Sequence, residues 1–146
     1  MKSRRTYGRY IAIGLVIVIA LICVWALVFT REVSFADAAG VDTVDFASVE
    51  LVSEGSGETI ELDAAQRGEV SEALSSLRLV RRPGGTALLG CYARLYVETD
   101  SAGRIELLLA PDEMMVAHLS GRESRVYGLD SGCGLEDCVR GLLSLN

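Results

Sequence analysis

Residues 91–109 read Cys-Tyr-Ala-Arg-Leu-Tyr-Val-Glu-Thr-Asp-Ser-Ala-Gly-Arg-Ile-Glu-Leu-Leu-Leu. Ala93, Leu95 and Val97 recur at every second position, and so do Ile105, Leu107 and Leu109. A period of two puts one set of side chains on one face of a strand. Asp100-Ser101-Ala102-Gly103 between the two sets carries turn chemistry, so the stretch predicts a β-hairpin. The pattern repeats in residues 114–119 and 125–129, separated by Ser120-Gly121-Arg122-Glu123. The simplest topology is a meander of at least four antiparallel strands. The opposite phase of the first strand holds Tyr92, Arg94 and Tyr96, which are expected to project together from the other face.

Upstream, Val44 and Phe46 share one alternation phase and Val49 and Leu51 the other, which predicts a bulge near Ala47-Ser48 or two short strands. Glu54-Gly55-Ser56-Gly57 makes a turn, and Ile60 and Leu62 alternate again. Asp63 offers a side-chain oxygen to cap a helix, and Val70, Ala73, Leu74 and Leu77 recur at i, i+3, i+4 and i+7. A last helix carries Leu135, Cys138, Val139, Leu142 and Leu143 on one stripe. Two amphipathic helices on one face of a small antiparallel sheet make the fold class α+β, in two layers.

The chain has 146 residues and a formal charge of -6, which excludes a large multidomain enzyme and disfavours nucleic acid as a partner. Residues 11–29 form 19 consecutive uncharged positions, enough for a helix to cross the ~30 Å hydrocarbon core. Lys2, Arg4, Arg5 and Arg9 precede this span with no acid among them, so positive flanks hold residues 1–10 in the cytoplasm. The other 10 basic residues and all 20 acids lie at 31–146, a balance of −10 on the outer side. The uncharged core is longer than a cleavable signal's, so an uncleaved anchor is expected. Residues 30–40 then read as a linker, in which Ser34 to Gly40 could form one short helical turn, and 41–146 as the extracytoplasmic domain.

The run Ser48-Val49-Glu50-Leu51, the run Glu58 to Asp63 leading into the Leu74/Leu77 helix, the strand from Tyr92 to Val97 with its Gly103 turn, and Val126-Tyr127 carry a likeness. On these residues the chain resembles small membrane-anchored extracytoplasmic proteins of Gram-positive bacteria. The likeness covers most of 41–146, implies a cell-envelope location, and supplies no catalytic residues. The cysteine pair near the C-terminus has no counterpart in it.

Cys91, Cys133 and Cys138 lie on the oxidising side. With Gly134 as the cap of the last helix, Cys133 and Cys138 occupy staple positions whose side chains meet, so a Cys133–Cys138 disulfide is the favoured pairing. Cys91 with either of them, or no bridge at all, remains open. Cys91, Cys133, Cys138 and His118 are permitted zinc ligands but lack a zinc-site spacing. A Cys–His nucleophile finds no support either, because the Thr-Leu-x-Thr-Cys motif of sortases, which share the anchor topology, is absent before Cys91. Asp112 with Glu113, and Glu136 with Asp137, read as a charged loop and a helix-dipole pair rather than as acid/base machinery. Arg81 and Arg82 before Pro83-Gly84-Gly85 could hold an anion with forked donors, although a solvated strand end is the plainer reading.

The composite expectation is a non-catalytic, single-pass binding or accessory domain of the cell envelope. Its partners are the bilayer and a protein or small ligand met at Tyr92, Arg94 and Tyr96, with no cofactor and no metal. A small envelope enzyme and a sensory subunit acting through a second membrane protein are the alternatives.

Overall fold

The computed structural model describes residues 3–82, 88, 90–119, 121, 123–129 and 134–144. The chain divides into two compact units, Met1–Arg31 and Glu32–Asn146. The first is helix α1, Ser3–Phe29, in which Gly8–Val28 is long and apolar enough to cross a membrane. Its Ile and Val residues are indifferent helix formers in water. In hydrocarbon, however, every backbone N–H and C=O must be satisfied within the segment, and only a helix does this for a single strand of chain.

In the second unit the described strands form one eight-stranded sheet in the order β1-β4-β8-β7-β6-β5-β2-β3, with every neighbouring pair antiparallel. Strands β5 (Ala93–Thr99), β6 (Gly103–Ala110), β7 (Glu113–His118) and β8 (Arg125–Leu129) are the expected meander at its centre. To it the structure adds β2 (Ser48–Ser53) with β3 (Thr59–Glu61) on one side, and β4 (Arg78–Arg81) with β1 (Glu32–Ser34) on the other. The β5–β6 turn closes with Thr99 opposite Gly103. Gly103 sits at φ 72°, a left-handed conformation that glycine adopts without a Cβ clash. The Thr99 hydroxyl locks this turn by donating to Gly103 O and accepting from Ala102 N, both at 3.1 Å.

Residues 30–40, expected as a linker, contribute to the folded unit from Glu32 onward, and the short helical turn weighed for Ser34 to Gly40 is present. Glu32–Ser34 pairs with β4, and Phe35–Ala39 forms a short helix, α2, capped by Ser34. Phe35 and Ala39 are fully buried, and Phe35 meets Phe46 edge-on at 6.3 Å between ring centroids. Two aromatic residues 11 positions apart thus bring the segment into the core. Residues 41–47 contain no strand; Val41 and Phe46 are buried from an irregular path, and pairing begins at Ser48.

Helix α3 (Ala64–Ser75) opens with a capping box: Asp63 accepts from Gln66 N at 2.9 Å, and the Gln66 side chain accepts from Asp63 N at 3.0 Å. It buries Val70 and Leu74, while Leu77 is buried just beyond its end. Helix α4 (Gly134–Ser144) buries Leu135, Val139 and Leu142, and α3 packs against it. All these side chains join Leu51, Leu79, Leu95, Leu107, Leu109 and Met114 in one core cluster. Helices α2, α3 and α4 therefore cover a single face of the sheet, one more helix than the sequence predicts.

Candidate functional site: the open face of the sheet

Strand register identifies the face that the helices leave open. In β5 the residues alternating with buried Ala93, Leu95 and Val97 are Arg94, Tyr96 and Glu98. Their partners are Leu108, Glu106 and Arg104 on β6, and Val52, Glu50 and Ser48 on β2.

Arg94 organises this face. Its Nε and Nη2 reach Glu54 Oε1 at 2.8 and 2.7 Å, and its Nη1 reaches Glu106 Oε1 at 2.9 Å. The same Nη1 donates to the Tyr96 hydroxyl at 3.2 Å, and that hydroxyl donates to Glu106 Oε1 at 3.2 Å. Beside this group, Arg104 Nη2 meets Glu50 Oε2 at 2.7 Å while its guanidinium lies 4.9 Å from the centre of the Tyr96 ring. The hydrogen bond to Tyr96, followed by those to Glu54, pushes the Arg94 guanidinium above its ordinary range, while burial opposes the shift. The side chains of Arg94 and Glu54 are about one-third exposed and that of Glu106 is 16% exposed, so solvent screens the group without dissolving it.

Through this polar cluster runs a register row that is apolar apart from Arg94 itself. Val52, Arg94, Leu108, Met115 and Val126 align across β2, β5, β6, β7 and β8. Leu108 and Met115 are half-buried, with Ala117 beside them opposite Glu106. On the far side Arg82 Nε lies 3.7 Å from Glu113 Oε1. Leu108 and Met115 thus sit between two ion-paired groups.

Of the three expected binding residues, the structure brings Arg94 and Tyr96 together and places Tyr92 elsewhere. Tyr92 precedes β5, packs against the core, and has the Arg140 guanidinium of α4 at 4.5 Å from its ring centre. The alternation assumed to run through residue 92 starts only at Ala93. The sequence reading missed Glu50, Glu54, Arg104 and Glu106. Pairing arithmetic across the Gly103 turn would have set Glu106 opposite Tyr96, whereas Glu54 reaches Arg94 from a turn 40 residues away.

The Cys133–Cys138 pairing involves Cys133, which lies outside the described residues. Cys138 carries a free thiol, as does Cys91, and burial raises both thiols above their ordinary range. Gly134 is the first residue of α4 rather than its cap, which shifts Cys138 by one position from the staple frame. Asp112 and Glu113 do not act as a pair: Asp112 occupies the β6–β7 turn at φ 60°, while Glu113 meets Arg82. Glu136 pairs with Arg140 at 2.8 Å, one helical turn on. Among the described residues no group of three His, Cys, Asp or Glu side chains is placed to hold a metal ion. No family model, curated protein or solved structure matches the chain.

Proposed function

We propose that the chain is a single-pass, non-catalytic binding domain of a bacterial cell envelope, similar to the small anchored proteins of Gram-positive bacteria. Residues 1–10 lie in the cytoplasm in this reading, because the basic flank carries four positive charges and no acid. The sheet domain is then extracytoplasmic and meets another protein through its open face.

One observation carries the reading: Leu108 and Met115 lie side by side and half-exposed on the face away from α2, α3 and α4, between the ion-paired Arg94 cluster and the Arg82–Glu113 pair. A sheet domain whose only need was to fold would be expected to line this face with isolated polar side chains. The edges are poorer candidates, because β1 and β3 have three residues each and carry Glu32 and Glu61. Carboxylates outnumber guanidiniums around the row, so the partner's complementary rim is basic.

The test is co-purification from gently solubilised membranes, comparing the native chain with a Leu108→Asp/Met115→Asp variant. A protein retained by the native chain and lost from the variant, with the unfolding midpoint little changed, supports the reading. Equal retention by both refutes it.

A further inference from the structure

We infer that a second patch of the sheet's open face, at β1, β4 and β8, holds the phosphate of an anionic lipid headgroup. The inference rests on the membrane-anchor reading above. A groove of about 300 Å³ is lined there by Glu32, Arg78, Val80, Arg82, Gly128 and Leu129. Val80 pairs with Glu32 on one side and with Gly128 on the other. Arg78 and Arg82 flank Val80 two residues away in each direction, so all three side chains leave the same face of the strand. Arg82 lies just past β4 but stays in the ladder by donating its N–H to Val126 O at 3.2 Å.

The floor of the groove is shaped for a guanidinium. A Cβ on Gly128 would lie 2.9 Å from Arg82 Nε, so the Arg82 side chain lies across the one residue of β8 that has no side chain to block it. Its carboxylate partner Glu113 is 3.7 Å away, beyond hydrogen-bond length, and the two side chains are 55% and 38% exposed. Such a pair is held loosely and can exchange its carboxylate for a phosphate, which accepts several forked donors at once. Arg78 is exposed and has no side-chain partner among the described residues. Among the described residues, two guanidiniums, one loosely paired with Glu113 and one unpaired, thus face a cleft lined by one carboxylate, Glu32.

Chain connectivity selects the source of the phosphate. Glu32 follows the end of α1 by three residues, and extended chain covers roughly 3.3–3.6 Å per residue, so only a short tether separates the groove's Glu32 from the segment read as the anchor. Glu32 also lies in register with Val80, between the two arginines. A domain carrying a −10 balance would be repelled by an anionic bilayer. A local pair of arginines near the tether offsets that repulsion at one point, leaving the Leu108–Met115 row for a protein.

The experiment is native mass spectrometry of the full chain in mild detergent with phosphatidylglycerol, with phosphatidylcholine, and with glycerol phosphate. Because Lys2, Arg4, Arg5 and Arg9 also attract anionic lipid, these four are changed to Gln in every sample. The expected result is one retained phosphatidylglycerol, a loss of roughly tenfold or more in retention with Arg78→Gln/Arg82→Gln, and stronger retention with Glu32→Gln. Arg78→Lys/Arg82→Lys, which keeps the charge but not the fork, should fall between. Equal retention of the two lipids, indifference to Arg78→Gln/Arg82→Gln, or glycerol phosphate competing as well as the lipid overturns the proposal. Pelleting with membranes after carbonate washing reads the anchor separately, so a chain that pellets but retains no headgroup refutes the groove alone.

Discussion

The two faces of strand β5 are made from consecutive residues and do opposite things. Leu95 and Val97 are fully buried among Leu51, Leu107 and Ile105 beneath the helices, whereas Arg94 and Tyr96 face outward in a chain of contacts between 2.7 and 3.2 Å. The inner face is non-directional: apolar area is removed from water, and any side chain of similar volume would serve. The outer face is directional, since each bond needs a particular donor opposite a particular acceptor. One strand can therefore hold the fold with one phase and present a surface with the other.

The comparison breaks most visibly at Leu95. Leu95→Ala should cost about 2–5 kcal/mol in denaturant unfolding, because it removes buried methyl groups and leaves a cavity below the helices. A cost below 1 kcal/mol would mean that this face is not the core. Arg94→Ala should cost less, roughly 1–2 kcal/mol, since Glu54 and Glu106 lose their cation at sites that water reaches. Its signature is salt dependence: the difference between native chain and variant should shrink as ionic strength rises, and a difference that ignores salt would make Arg94 a packing residue. Tyr96→Phe should be milder still, a few tenths to about 1 kcal/mol, because the ring under Arg104 remains and only the hydroxyl linking Arg94 to Glu106 is lost. A loss as large as that from Leu95→Ala would contradict the assignment of the two phases.

The smallest effect is a pH slope. Burial raises the Cys91 and Cys138 thiols above their ordinary range in the folded chain. The unfolded chain then gives up these protons first, so the stability gained from keeping them protonated is full below the unfolded value and is lost as pH rises through the folded ones. Unfolding midpoints measured over roughly pH 8 to 10 should fall with pH. The fall should be shallower in a Cys91→Ala/Cys138→Ala variant; an unchanged slope would show that neither thiol is shielded.

Much of this architecture was legible in the chain. Period-two alternation in residues 93–97 and 105–109 gave the central hairpin, because a half-buried strand must alternate. The stripe at Val70 and Leu74 gave α3, and the 19 uncharged residues gave the apolar helix α1. What escaped was set by distant partners. Three residues, Glu32–Ser34, are too short to show a period, and they become a strand only because β4 lies beside them. Phe35 enters the core to meet Phe46, and Glu54 reaches Arg94 across 40 positions. Local pattern reports which face a residue prefers; it does not report which charge waits there. Tyr92 shows the reverse error: its N–H bonds to Leu109 O, already the level of Ala93, so the regular period does not extend to it and its ring meets Arg140 instead.

The claim that the open face binds a protein while the helical face only holds the fold is tested most directly by site-directed photocrosslinking of the full chain in its native membrane. A photoreactive side chain at Met115, on the open face, is compared with one at Glu72, exposed on α3. The account expects a discrete protein adduct from Met115, abolished by Arg94→Ala or Leu108→Asp, and none from Glu72. An adduct from Glu72 with Met115 silent would place the partner on the helices and contradict it.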